Sequence, residues 1–413
     1  MKVLHVIATA DPRSGGPIHG VIAGSEIWRR HGCERHVLTL DPPTAPWIGA
    51  LPMNVIAVGM DGPMADWIRR HVPISRYGYS PRLVRWLKKN AANYDAIIVN
   101  GLWNYASLGA WRALRGGGAP YVVFTHGMLD PWFNRAYPVK TLFKRLYWLL
   151  LEHRVLRDAR GVMFTAEEER RLARNSFKPY VARDHVAGYG ARRVEGDPEA
   201  QIAAFFATAP ELRGRGFILF LSRIDEKKGV DLLIQAFARA VEDFPDVDIV
   251  IAGPDQSGLK ARLAALARAM NIGARIHWPG MLSGDAKWGA FRAAKFFVLP
   301  SHQENFGIVV AEALSLGTPV LITDKVNIWR EVEADGAGVV VSDDVDGVER
   351  GLRHLCGLSA AEREAMTRAA RACFDARFDL DANALDFLAL MKRLCAADNH
   401  AAQAGEIFSS PPI

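Results

Sequence analysis

The sequence predicts an α/β protein built from two doubly wound parallel sheets, and three observations carry that prediction. The chain has 413 residues, half of them apolar, more than one core usually supports and enough for two domains of roughly 200 residues each. Short β-branched apolar runs alternate with longer helical patterns from end to end. The alternation dissolves once, between 180 and 215, into KPYVARDHVAGYGARRVEGDPEAQ, rich in Gly, Pro and charge.

In the first half the strand candidates are KVLHVIA, RHVLTL, NVIAVG, DAIIVN, YVVFT and GVMFTA, with helical stretches such as 17–30, 81–92 and 139–157 between them. In the second half they are FILFLS, VDIVIAG, RIHWPG, KFFVLP, PVLIT and GVVVS, again with helices between. Strands that are apolar throughout are buried on both faces, the pattern of parallel sheets covered by crossover helices. Two such sets in tandem give two Rossmann-like domains. The expected division is 1–185 for the first domain, 186–215 for the connection and 216–380 for the second. Residues 381–413 follow as a C-terminal helix that could return to the first domain, ending in a loose tail, AAQAGEIFSSPPI.

Composition narrows the function classes. The opening MKVLHVIATADPRSGG reads as a buried strand ending in a turn rather than as a signal peptide. No apolar run reaches the roughly 18 to 20 residues that span a bilayer. Cys33, Cys356, Cys373 and Cys395 are scattered without CxxC or histidine spacing. They read as reduced packing residues of a cytoplasmic protein, and no metal site is expected. A formal charge of +6 and a pI near 9.1 favour anionic partners. Without an aromatic-basic RNA signature or zinc-finger spacing, nucleic acid is not among those expected.

In open parallel sheets ligands bind at the carboxyl ends of the strands, so each candidate is judged by whether it directly follows one. After the first strand, Gly15 and Gly16 allow a tight turn and Pro17 suits the first position of a helix whose positive end can meet phosphate; a plain β–α turn is the alternative. In SRIDEKKGVDLLIQAF, Arg223 follows a strand and Lys228 precedes Gly229 at a helix start. Two cations there oppose the helix dipole unless a diphosphate arrives, or unless Asp225 and Glu226 neutralise them. In PSHQENFGIVVAEALSLG, Glu304 lies in a loop after a strand and Glu312 about two turns into the next helix. The backbone N–H groups of Asn305, Phe306 and Gly307 form an anion seat between them. Glu312 sits in an apolar run, where a carboxylate needs a partner: sugar hydroxyls or an interior arginine.

Three more segments complete the set. His126, in FTHGMLDPW, can orient a hydroxyl, assist proton transfer or be structural. Asn100 and Trp103, in NGLWNY, are candidate acceptor contacts. The stretch 137–157 is basic and aromatic, with Lys140, Lys144, Arg145, Arg154 and Arg157. It fits either an anionic membrane surface, with Tyr147 and Trp148 at the interface, or a packed helix with a solvated basic side. The acidic runs DVD at 246–248 and DDVD at 343–346 have no histidine or cysteine beside them, so they do not read as a metal site.

Arg223 with Lys228-Gly229, followed by PSHQENFGIVVAEALSLGTPV, resembles the signature of the GT-B retaining glycosyltransferases, over nearly the whole chain. The narrower group includes sucrose synthases, glycogen synthases and phosphatidylinositol mannosyltransferases. SGGP and THGMLDPW are similar to members that build bacterial exopolysaccharide or lipopolysaccharide. The resemblance implies two domains facing a central cleft, the first binding acceptor and the second a nucleotide-diphosphate sugar, UDP- or GDP-linked, as co-substrate without a further cofactor or metal. Arg223 and Lys228 would neutralise the departing diphosphate, Glu304 would hold donor-sugar hydroxyls and Glu312 the ribose. Asn305, Phe306 and Gly307 would offer N–H groups to sugar and phosphate, and His126 would face the sugar near its anomeric carbon. Gly15 and Gly16 would admit the phosphates, and Gly280 and Met281 would flank the base. The implied acceptor is a glycan or polyprenyl-linked glycan, met in the cytoplasm or peripherally at the inner-membrane face. Two departures stand out: Ser222 replaces the usual Gly before the arginine, and Tyr189-Gly190 replaces an Asn-Gly pair. A nucleotide-sugar 2-epimerase of the same architecture, or a non-catalytic basic membrane-binding protein, are the alternatives.

Overall fold

The computed structural model describes residues 1–63, 67, 71, 77–117 and 119–407, with side chains described as far as 396. It divides into two compact units, Met1–Gly188 with Asp381–Ile413, and Tyr189–Leu380.

The first unit holds a seven-stranded sheet. Its strands are β1 (Lys2–Ile7), β2 (Glu34–Thr39), β3 (Asn54–Ala57), β4 (Ala96–Asn100), β5 (Tyr121–Phe124), β6 (Gly161–Phe164) and β7 (Asp184–Val186). All pairings are parallel, in the order β3-β2-β1-β4-β5-β6-β7. The second unit repeats the plan with β8 (Gly216–Leu221), β9 (Val247–Ala252), β10 (Ile276–Gly280), β11 (Phe296–Leu299), β12 (Val320–Thr323) and β13 (Gly338–Val341). Their order is β10-β9-β8-β11-β12-β13, again parallel throughout. All twelve apolar runs expected as strands are strands, so the doubly wound α/β class stands. The additional strand, β7, has three residues, Asp-His-Val, at the sheet edge. An edge strand faces less core, so no continuous apolar run marks it.

The helices used below are α1 (Gly16–Arg30), α2 (Pro138–Tyr147), α3 (Pro198–Thr208), α4 (Val230–Ala240), α5 (Gly284–Ala293), α6 (Ile308–Ser315) and α7 (Leu380–Ile407). Helix α3 falls within 186–215, and it lies against α5 so closely that a Cβ on Gly289 would sit 1.9 Å from the Gln201 carbonyl oxygen. Asp197 caps α3 by accepting from the Glu199 N–H. In the first unit, α7 packs beside α1: the Trp28 indole donates to the Ala384 carbonyl at 2.7 Å, and Phe387 meets both Trp28 and Phe124. The backbone remains helical to Ile407, which includes the start of the stretch read as a loose tail, and 408–413 lie outside the described residues.

In both sheets the strand order reverses beside the first strand of the set, between β1 and β4 and between β8 and β11. Crevices for ligands open at the carboxyl ends of strands at such reversals.

Candidate functional site

In the second unit the loops leaving β8 and β11 flank the reversal, and they bring together residues far apart in sequence. After β8, Asp225 caps a tight 3-10 turn, Glu226–Lys228, by accepting from the Lys227 N–H at 3.0 Å. Gly229 closes the turn in the left-handed region, φ 64°, where a Cβ would stand 2.0 Å from the Pro300 carbonyl oxygen. Only glycine allows the two loops to approach this closely. The His302 N–H then donates to the Lys227 carbonyl at 2.8 Å, joining loop to loop.

The junction buries Lys228 and aims its ammonium at Glu304, with which it forms an ion pair. Glu304 is held from the other side by the loop after β12: its N–H donates to the Lys325 carbonyl and its carbonyl accepts from the Asn327 N–H, both at 3.0 Å. The acids expected as possible neutralisers are otherwise engaged, Asp225 in the cap and Glu226 with Arg262 at 3.3 Å. Arg223 is exposed and forms no ion pair with a described residue. Burial lowers the Lys227 pKa from its ordinary value. This edge of the sheet therefore gathers Arg223, Lys227 and Lys228 with Asp225, Glu226 and Glu304, and within it Lys228 is paired with Glu304.

Downstream, Gly307 (φ 74°) starts α6. The Phe306 ring turns inward, buried against Tyr189 (5.1 Å) and Phe378 (5.7 Å), so its backbone N–H is the group it can offer a ligand. Tyr189, the residue that departs from the Asn-Gly pair, thus serves as a packing partner of the Phe306 loop. Glu312 lies on the second turn of α6, and its partner is neither an arginine nor absent: Lys287 of α5 donates to Oε1 at 2.7 Å. The second oxygen, Oε2, is buried and accepts no hydrogen bond from a described residue. Burial raises the Glu312 pKa, with Lys287 opposing the shift. A carboxylate half satisfied in this way retains acceptor capacity for a hydroxyl. Gly280 ends β10 at φ 80°, and Met281 beside it is 70% exposed.

The two acidic runs have structural partners. Asp248 is held by Arg215 (2.8 Å), Arg275 (2.6 Å) and His277 (3.0 Å), which keep its carboxyl down near 2 against the cost of burial. Asp344 caps the helix that starts at Val345, and Asp343 faces His302 at 3.2 Å.

In the first unit the groups at the strand ends are mostly neutral. Gly15 adopts φ 95° ahead of α1, and a Cβ on Gly15 or Gly16 would meet nothing within 4 Å. That loop is organised by Asp41, which accepts from the Ala10 N–H (2.6 Å), Thr9 (2.8 Å), Thr39 (2.8 Å) and the Trp47 indole (3.1 Å). His126 sits just past β5 in the left-handed region, φ 49°, its ring stacked on Phe124 at 4.4 Å. Glu169 fixes this turn by accepting from the Gly127 N–H (2.6 Å), Thr125 (2.7 Å) and the Thr165 N–H (2.7 Å). Burial depresses the His126 pKa to about 3. Asn100 is itself buried, with its oxygen 3.2 Å from His126 Nε2. Trp103, also left-handed at φ 65°, hangs from the buried Glu152, which accepts from its N–H at 3.1 Å. The Lys144 ammonium lies 4.6 Å over the Trp103 ring.

Lys287, Asp41, Glu169 and Glu152 escaped the sequence reading. Each acts on groups distant in the chain or in the next loop, and Glu169 hides in the run EEERR, which reads as a solvated helix. A carboxylate one turn after a strand end, as in FTAEEE, is the signal that was available.

The stretch 137–157 forms α2, a π turn at Trp148–Glu152 and a short helix at His153–Arg157. Trp148, which the membrane-surface alternative puts at an interface, is buried against Phe177, as the packed-helix alternative has it, and Tyr147 bonds Tyr77 at 2.7 Å. The exposed face is aliphatic and aromatic: Val139, Leu142, Phe143, Leu146, Leu149 and Leu150 are each more than half exposed. Among the described residues no helix is long and apolar enough to cross a membrane.

Comparison with known proteins places both halves. Residues 19–190 match the family described as Glycosyl transferase 4-like domain, and residues 204–372 match Glycosyl transferases group 1. A phosphatidyl-myo-inositol mannosyltransferase of Mycolicibacterium smegmatis is 34% identical over 193 residues, which is 45% of this chain and about half, 48%, of that relative. Sucrose-phosphate synthase from Thermosynechococcus elongatus superposes with a TM-score of 0.74 at 20% identity, covering 96% of this chain and 99% of that one. HepE of Anabaena, solved with UDP and glucose, gives 0.71 at 16% identity, covering 95% and 99%.

Proposed function

Because this chain belongs to the GT-B glycosyltransferases, with a glycosyl transferase 4-like domain followed by a group 1 domain, we propose that it moves a hexose from a nucleotide-diphosphate sugar to a glycan or lipid-linked glycan, retaining anomeric configuration without a metal ion. The observation that carries this reading is the ion pair of the buried Lys228 with Glu304, beside an Arg223 that forms no ion pair with a described residue, at the strand-order reversal of the second unit.

In this reading the anomeric C–O bond breaks as negative charge grows on the diphosphate. Arg223 and Lys228 meet that charge, and Lys228 strengthens its hold on phosphate as Glu304 turns to sugar hydroxyls. The acceptor oxygen bonds to the anomeric carbon on the face that the diphosphate leaves, and its proton passes to the departing phosphate oxygen. The N–H groups of Asn305 to Gly307 add donors, and Gly15 and Gly16 leave open the space that phosphates need. Glu312 accepts hydrogen bonds from the ribose hydroxyls through the oxygen that has no partner among the described residues. Gly280 and Met281 flank the base, and His126 carries a sugar-facing role.

The exposed apolar face of 139–150, interleaved with Lys140, Lys144 and Arg145, supports contact with an anionic membrane surface and so a lipid-linked acceptor at the cytoplasmic face. The relative's mannosyltransferase name makes GDP-mannose the first donor to assay, with UDP-glucose, as in the HepE complex, the second. The test is release of nucleoside diphosphate across a donor panel with and without acceptor. Turnover with one donor, giving a product of unchanged anomeric configuration, is expected. A free 2-epimeric sugar formed without acceptor would transfer the assignment to epimerisation.

A further inference from the structure

Behind His126, on the face of the first sheet that α1 and α7 cover, runs a line of buried polar side chains. Asn100 is 4% exposed and His5 is 3% exposed. His5 Nδ1 stands 3.2 Å from Asn100 Nδ2, and Asn100 Oδ1 stands 3.2 Å from His126 Nε2. An amide nitrogen and oxygen are told apart by their surroundings, and here the surroundings are decisive. The nitrogen of Asn100 also faces two backbone carbonyls, Ile98 O at 3.1 Å and Val6 O at 3.4 Å. Rotating the amide would set its oxygen against both, so nitrogen must point inward and oxygen toward His126.

The protonation pattern of the two rings follows. Asn100 Oδ1 can only accept, so His126 Nε2 carries the hydrogen. A neutral imidazole has one N–H, which leaves Nδ1 with its lone pair. His5 Nδ1 receives the inner amide N–H and therefore also carries its own hydrogen on Nε2. Both rings stay neutral, because burial holds their pKa values far down and Arg35 adds to the effect at His5. His126 Nδ1 makes no hydrogen bond to a described residue. The ring cannot turn freely either, since it is stacked at 10° on Phe124 and its backbone turn is fixed by Glu169. At the far end, His5 Nε2 is buried with no partner among the described residues. An apolar side chain would fill that place in the sheet at less cost, so the histidine asks for a reason.

We propose that Asn100, backed by His5, is a positioning residue that locks His126 as the Nε2–H tautomer, so that Nδ1 is a permanent hydrogen-bond acceptor for a substrate hydroxyl. His126 is then a reader of a hydroxyl and takes no part in proton transfer. The identity of that hydroxyl, on the donor sugar, rests on the glycosyl-transfer reading; the tautomer does not.

The experiment is two-bond 1H–15N correlation spectroscopy on the full chain labelled at histidine, at pH 7.5, with His126 assigned through His126→Asn. The expected spectrum shows His126 as the neutral Nε2–H form. In Asn100→Leu that preference collapses to a mixture, kcat falls by about tenfold and KM for the donor changes by less than about twofold, since a hydrogen bond of ordinary strength made at the reacting sugar is lost. Asn100→Ser, smaller and still polar, gives a second reading if the leucine variant folds poorly. An Nδ1–H or charged His126 in the unaltered chain overturns the proposal, as does an unchanged tautomer in both variants. If the unaltered chain shows the Nε2–H form but no donor is turned over, the tautomer lock stands and the functional reading falls.

Discussion

The two units share a strand order and place their chemistry at the same point of the sheet, yet they equip that point in opposite ways. In the second, the loops after β8 and β11 set Lys228 against Glu304 with Arg223 exposed nearby, and α5 and α6 set Lys287 against Glu312. In the first, the matching edge carries His5, Asn100 and His126, neutral groups joined by one amide, with the carboxylates Asp41, Glu169 and Glu152 turned to backbone N–H groups. A parallel sheet supplies a location and leaves the chemistry to loop residues. Paired charges suit a ligand that brings a diphosphate, because phosphate can replace the carboxylate partner. Fixed neutral acceptors suit hydroxyls, which need direction more than field.

The contrast breaks most readily at Lys228. Lys228→Ala should lower turnover by about 10² to 10³-fold, as expected for removing a charged group that stabilises a leaving phosphate, while far-ultraviolet circular dichroism stays unchanged. Full activity would show that the pair is structural.

The next largest effect concerns the first unit. Burial pushes the Glu152 carboxyl up to about 7 from its ordinary value of 4.5. The folded chain thus binds this proton more tightly than the unfolded one. Its contribution to stability is fully present below about 4.5 and is lost as pH rises through about 7, a change of about 3 kcal/mol. Urea midpoints measured at pH 5 and pH 8 should differ less in Glu152→Gln than in the unaltered chain, and equal differences would show that Glu152 is ionised throughout.

Glu312 sharpens the comparison from the other side. Removing its ribose contacts should weaken nucleotide binding by about 1.5 to 3 kcal/mol, as for hydrogen bonds to a charged group. Isothermal titration should therefore show Glu312→Ala and 2′,3′-dideoxy nucleotides losing affinity to similar extents and non-additively. Additive losses would place the ribose elsewhere. The smallest expected effect lies at the helix surface: Leu142→Glu with Phe143→Glu should reduce sedimentation with anionic vesicles, while transfer to a water-soluble acceptor stays within about twofold. Undiminished vesicle binding would move the membrane contact to another face.

What the sequence disclosed follows the same division. Every strand buried on both faces announces itself as an apolar run, and β7, with Asp184 and His185 in three residues, does not. Lys228, Glu304 and Glu312 stand out because charge beside glycine at a helix start, or within an apolar helix, conflicts with local preference. Lys287 and Glu169 conflict with nothing nearby, and their partners lie 25 and 42 residues away. Trp148 and Leu149 show the limit of composition: both suit a membrane-facing stretch, and only packing around the π turn reveals which one is buried.

Whether the second unit's charged edge receives a nucleotide-diphosphate sugar is decided by nucleoside diphosphate release across UDP-, GDP- and ADP-sugars, with Lys228→Ala measured in parallel. Release with one donor and near-complete loss in the variant are expected. No release from any donor by a folded chain that also binds no nucleotide would contradict that role.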